Sequence, residues 1–161
     1  MKKIVFLDLE DTVIDVFSPE NGDRNCELVN IAETRAFLER ECPDEVRLFS
    51  FALWSEQRVA QFCSGLEARL NEALGIELNV EGAFVIRTLF QLCRKNGLMF
   101  EDDNECMLFH SKDLGFQQFI TLSDEFSDVE VVLLDDAVLS KRIEIPSRNL
   151  TIRIVNVNDI L

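Results

Sequence analysis

The sequence predicts an α/β fold: a three-layer sandwich with a central parallel sheet and helices on both faces, formed by a single domain over residues 1–161. Two observations carry this reading. Four short runs of β-branched and aliphatic residues have the length and near-continuous apolarity of strands buried on both faces. Between them lie segments whose apolar residues recur at helical spacing. Composition agrees: 47% of the residues are hydrophobic, enough to fill a core, and mean hydropathy is close to zero, which separates the chain from disordered sequences.

The first strand is Ile4-Val5-Phe6-Leu7, which runs into Asp8. Residues 32–41 form a short amphipathic helix that stops before Cys42-Pro43, because a residue preceding proline is pushed out of the helical region. The second strand, Val46-Arg47-Leu48-Phe49, runs into Ser50. Residues 56–74 read as one long helix: Val59, Phe62, Cys63, Leu66, Leu70 and Leu74 follow i, i+3, i+4 spacing, Ser55 is the N-cap and Gly75 the stop. A further helix covers 82–95, closed by Asn96-Gly97, and a shorter one 113–122. Between those two, Glu101-Asp102-Asp103-Asn104-Glu105 lacks the glycine and spacing of a calcium loop and reads as a solvated acidic turn. The third strand, Val131-Val132-Leu133-Leu134, runs into Asp135-Asp136, and the fourth covers Leu150 to Val155. No internal repeat, low-complexity tract or linker interrupts the pattern.

A formal net charge of −14 argues against a general nucleic-acid grip, which needs a basic face to replace the counterions on phosphates, and against an anionic membrane surface. A phosphorylated substrate remains open, since a bound divalent cation reverses the local field. Five cysteines, Cys26, Cys42, Cys63, Cys93 and Cys106, include no CxxC pair; three lie in apolar surroundings, and they read as reduced thiols. The apolar run before Asp8 is too short for a signal-peptide core or a membrane span, so the cytoplasm is the expected location.

Right-handed crossovers put the C-terminal ends of parallel strands on one edge of the sheet, where open α/β sheets bind ligands. Asp8, Ser50 and Asp135-Asp136 are expected to converge there. Asp8, Glu10 and Asp11 fall within four positions, and Asp135 and Asp136 are adjacent. Carboxylates so crowded raise one another's pKa or recruit a cation, and hard oxygens without Cys or His partners suit Mg²⁺.

At these residues the chain resembles the haloacid-dehalogenase (HAD) superfamily. Ile4 to Thr12, IVFLDLEDT, is similar to the first motif, an apolar strand followed by Asp-x-Asp-x-Thr. The resemblance implies that Asp8 is the nucleophile, Glu10 the general acid and base, and Thr12 the residue that braces the loop. It matches Ser50 to the hydroxyl that binds the transferred phosphoryl group, and Lys112, in HSKDL, to the Lys of the third motif. VVLLDD matches the fourth motif, with Asp136 as direct metal ligand and Asp135 orienting metal-bound water or Lys112. The implied protein is a Mg²⁺-dependent phosphomonoesterase with a Rossmann-like core that works through an aspartyl-phosphate on Asp8. Its cation is held among Asp8, Glu10, Asp135 and Asp136. Two positions depart from the motif. Glu10 replaces an Asp and is one methylene longer, which displaces its carboxylate by about 1 Å, and Asp11 replaces a common Gly.

The stretches 13–45 and 51–111 are mostly used by core elements, so the family's cap domain has no room; a short flap within 13–31 is the most that fits. The resemblance to capless members implies a large or protein-borne phosphorylated substrate, or a partner acting as lid. Some alternatives stay open. Ser55 competes with Ser50 as the phosphate-binding hydroxyl. His110 lines the pocket or is structural, and Trp54 stacks on a ring of the substrate or packs at a strand–helix junction. The second functional reading is a catalytically weak domain that binds a phosphorylated ligand or protein partner, and Glu10 separates it from the first.

Overall fold

The computed structural model describes residues 1–17, 26–81 and 86–161. Among them five strands form one sheet: β1 (Lys2–Leu7), β2 (Glu45–Leu48), β3 (Val129–Asp135), β4 (Lys141–Ile145) and β5 (Leu150–Asn156). Their order is β2-β1-β3-β5-β4; every neighbouring pair is parallel except β4–β5, which is antiparallel. Six helices accompany them: α1 (Ile31–Glu41), α2 (Glu56–Cys63), α3 (Leu66–Leu74), α4 (Ile86–Lys95), α5 (Asp103–Phe109) and α6 (Lys112–Leu122).

Side chains alternate across a strand, and here they divide between two cores. Val5, Leu7, Val132 and Leu134 pack with Phe37 and Leu38 of α1, Phe62 of α2, and Leu66, Leu70 and Leu74 of α3. Ile4, Phe6, Val131, Leu133, Ile152 and Ile154 pack instead with Ile86 and Leu89 of α4, Cys106 of α5, and Phe116, Phe119 and Ile120 of α6. The Phe6 ring meets that of Phe116 edge-on at 5.3 Å, a favoured aromatic geometry. Leu70 is fully buried in the first core. Leu70→Ala is therefore expected to cost about 3 kcal/mol by leaving a cavity. The check is the urea midpoint at unchanged m-value, and a loss below about 1 kcal/mol would mean that the α3 face is loosely packed.

Three expectations are corrected. Residues 56–74 form two helices, because Ser64 and Gly65 interrupt them: the Ser64 hydroxyl donates to the Gln61 carbonyl at 2.7 Å, competing with the helical ladder, and Gly65 leaves helical φ/ψ. The acidic stretch 101–105 is solvated as expected, but residues 103–105 open helix α5, with Asp102 as N-cap accepting from the Glu105 amide at 2.8 Å. The strand β4 was absent from the expected elements; it is a charged, mostly exposed edge strand, KRIEI. The helix expected over 82–95 is present from Ile86, and 82–85 lie outside the described residues.

Residues 13–31 begin and end as a narrow antiparallel pair. The Asp15 amide donates to the Glu27 carbonyl and the Val29 amide to the Val13 carbonyl, both at 2.9 Å, and Ile14 bridges Leu28. Residues 18–25, the remainder of the expected flap, lie outside the described residues. Among the described residues no helix is long and apolar enough to cross a membrane. Cys26, Cys93 and Cys106 are buried, and Cys42 and Cys63 are exposed.

Candidate functional site

Strand register decides which side chains meet at the C-terminal edge. Leu7 of β1 pairs with Leu134 of β3, so the residues that follow, Asp8 and Asp135, emerge side by side, and the Asp8 amide donates to the Leu134 carbonyl at 3.0 Å. Both carboxylates are buried. Asp136 joins them: Asp8, Asp135 and Asp136 each offer an oxygen within 4.8 Å of the others. Lys112, the first residue of α6, reaches in from a segment more than a hundred positions from Asp8. Its Nζ donates to Asp8 Oδ1 at 2.6 Å and to Asp135 Oδ2 at 3.3 Å, and lies 5.2 Å from the centre of the Phe51 ring. The Thr12 hydroxyl donates to Asp8 Oδ2 at 3.2 Å, and the Ala137 amide to Asp135 Oδ1 at 2.8 Å.

These contacts leave three carboxylates facing one ammonium, so negative charge is left over. Burial pushes the Asp8 carboxyl up to about 7; Lys112 opposes the rise and Asp135 adds to it. Burial and then Asp135 raise Asp136 as well. For Lys112, burial favours the neutral amine, but the Asp8 and Asp135 carboxylates outweigh it and raise the pKa. Away from this edge some carboxylates are matched by cations: Glu41, at the end of α1, is held at about 2, mainly by hydrogen bonds from Arg153, which also pairs with Glu130.

The donor set fits a hard divalent cation. Mg²⁺ takes oxygen ligands at 2.0–2.1 Å, so two of them stand at most about 4.2 Å apart, close to the spacing found here. The Asp8, Asp135 and Asp136 oxygens could hold the ion with small rotamer adjustments. Glu10 is not part of this cluster. Its Oε2 accepts from the Phe17 amide at 3.4 Å, which ties it to the stem of the 13–31 segment, although the residue does line the cleft.

The cleft above the cluster has a volume of about 650 Å³ and includes Asp8, Glu10, Ser50, Phe51, Lys112 and Asp136 on its walls. Ser50 is buried there, its hydroxyl accepting from the Ala52 amide at 3.2 Å. Ser55 caps α2 by accepting from the Arg58 amide at 3.2 Å and is not on the cleft wall. The hydroxyl placed at the site is therefore that of Ser50. Trp54 is half-exposed on the rim. His110 is buried away from the cleft, its Nδ1 at 2.8 Å from the Cys106 carbonyl. Asp11 has φ +60°, in the left-handed region that favours glycine and that Asp tolerates better than most residues.

Two residues escaped the sequence reading. Asn156, at the end of β5, donates through Nδ2 to the Asp136 and Val138 carbonyls at 3.2 and 2.6 Å and so braces the loop that carries Asp136. Its only signal was position, at the end of a fourth parallel strand. Arg58 lines the cleft from the first turn of α2, with no signal beyond closeness to Ser50. No protein-family model matches the chain, and neither a curated protein nor a solved structure matches it.

Proposed function

We propose that this chain is a Mg²⁺-dependent phosphohydrolase that cleaves a phosphomonoester through an aspartyl-phosphate on Asp8, built as a capless, HAD-like three-layer sandwich with a Rossmann-like core. The observation that carries the proposal is the contact of Lys112 with Asp8 and Asp135 beside Asp136, three separate stretches of chain meeting at one strand-end edge. The two helix-packed cores, one for each set of alternating strand residues, support the layering.

Asp8 attacks phosphorus, and the ester oxygen leaves; water then cleaves the acyl-phosphate, so one difficult displacement becomes two easier ones. Lys112 and Ser50 stabilise charge on the equatorial oxygens, and Thr12 holds the Asp8 carboxylate in line. Glu10 protonates the leaving oxygen and then takes a proton from the attacking water. Mg²⁺, when held by Asp8 and Asp136 with Asp135 beside them, supplies positive charge that offsets the repulsion between carboxylate and phosphate. The open cleft suits a phosphate on a large or protein-borne substrate.

The hydrogen bond that Glu10 accepts from the Phe17 amide favours a second reading, a phosphate-binding domain with weak turnover, since it engages the proton-transfer group outside the aspartate cluster. Steady hydrolysis of 4-nitrophenyl phosphate with Mg²⁺ tests the first reading. On that reading Glu10→Gln lowers kcat by about 100-fold. If instead wild type binds phosphate without turning over and Glu10→Asp accelerates it, the weak-binder reading holds.

A further inference from the structure

The cations of the cleft are placed differently. Lys112 is taken up by Asp8 and Asp135, whereas Arg58 forms no ion pair with any described carboxylate, in a chain with almost twice as many acidic as basic residues. Its Nε–H donates to the Ala52 carbonyl at 3.1 Å, and its guanidinium carbon lies 4.9 Å from the centre of the Phe17 ring and 5.5 Å from that of Trp54. The backbone bond and the two rings fix the guanidinium plane, as in sites that recognise planar anions. Its Nη1 is buried without a hydrogen-bond partner, a condition that costs stability unless something else supplies the acceptor. Stapling the 50–55 loop accounts for the Nε bond and leaves Nη1 unexplained.

We infer that Arg58 is a specificity-determining residue that binds a second anionic group of the substrate, distinct from the phosphoryl group received by Asp8 and Lys112; the inference rests on the phosphohydrolase reading of this cleft. Asp8, Glu10, Asp11 and Asp136 share the cleft with Arg58, yet none is within ion-pair distance of it, so the guanidinium stands off the acidic cluster, toward Trp54. A cleft of about 650 Å³ leaves room beyond a bare phosphoryl group for the adjoining part of a larger substrate. The second group is a carboxylate or a further phosphate, both of which match a guanidinium fork.

The test is the ratio of kcat/KM for 4-carboxyphenyl phosphate, and separately for 1,4-phenylene bisphosphate, to that for 4-nitrophenyl phosphate, with Mg²⁺. Because 4-nitrophenolate is the better leaving group, each wild-type ratio serves as its own reference, and the preferred anion is the one whose ratio depends more on Arg58. In Arg58→Gln the favoured ratio falls by about tenfold or more, and Arg58→Lys recovers part of it. Equal fractional losses on all three substrates, with the ratios unchanged, would overturn the inference while leaving the phosphohydrolase reading intact. Calorimetry of 4-phosphonobenzoate against phenylphosphonate, neither of which turns over, supplies the binding arm. If no ester is hydrolysed, the phosphohydrolase reading fails, and the calorimetric preference for the carboxylate and its loss in Arg58→Gln still decide the role of Arg58. Retained circular dichroism and melting temperature in both variants separate these outcomes from misfolding.

Discussion

Asp8→Asn is expected to abolish turnover of an aryl phosphate, by about 10⁴-fold or more, and to leave the fold intact. An amide has the shape of the carboxylate it replaces and keeps an oxygen to accept from Lys112 or Thr12, so packing at this fully buried position is preserved. What it lacks is the anionic oxygen that attacks phosphorus. The same substitution removes a charge that burial already disfavours, since the Asp8 carboxyl is pushed up to about 7. At pH 8 without divalent cation, the variant should therefore melt no lower than wild type. Loss of activity with an unchanged or raised melting temperature identifies a reacting group, whereas a structural aspartate would lose both together. Residual activity within about tenfold of wild type would remove Asp8 as the nucleophile.

The parts of this site that were legible in the sequence are those that strand geometry alone positions. A buried parallel strand reads as a continuous apolar run, and the polar residue after it must lie at the strand-end edge; Asp8, Ser50, Asp135 and Asp136 were found that way. The missed or misjudged elements follow other rules. β4 carries Lys141, Arg142 and Glu144 because edge strands use charge to avoid further pairing, and that erases the apolar signal. The break between α2 and α3 is hidden because Phe62, Leu66, Leu70 and Leu74 keep helical spacing across it and all reach one core. Helix α5 is seven residues long with Cys106 alone fully buried, so its acidic N-terminal turn looks like a solvated loop. Glu10 lies two positions from Asp8 in the chain and on the same cleft wall, yet outside the three-aspartate cluster. The Phe17 amide that holds it becomes a neighbour only after 13–15 pair with 27–29. Arg58 likewise depends on the loop 50–55 folding the first turn of α2 back onto Ala52.

The second large effect is expected in stability, where Mg²⁺ and pH act on the same carboxylates. Asp8 has a folded pKa of about 7 against an ordinary value of 3.8, so between those values the native protein retains a proton that the unfolded chain releases. Stability must then fall as pH rises from about 4 to about 7, by an amount of order a few kcal/mol, and the raised Asp136 acts in the same direction. The salt-bridged carboxylates Glu41, Glu45 and Asp113, each held near 2, have the opposite sign, but their contribution is lost only as pH falls below about 4.5. In the window from pH 5 to 7.5 they are constant and the metal-free melting temperature should decline. Mg²⁺ binds the ionised cluster, so its stabilisation grows over the same window. At about 100 times its Kd it adds roughly 2.7 kcal/mol, which for a domain of this size corresponds to about 5–10 °C. Differential scanning calorimetry at pH 5 and 7.5 resolves both effects. NaCl at matched ionic strength controls for screening of the net charge of −14. Asp136→Asn should keep most of the pH slope and lose the Mg²⁺ shift, whereas Asp8→Asn should lose the Mg²⁺ shift and most of the slope, keeping the part that Asp136 contributes. A wild-type melting temperature that neither declines with pH in this window nor rises with Mg²⁺ would mean that the three aspartates do not form a cation site. Crowding of buried negative charge at the strand ends is the condition on which both effects depend.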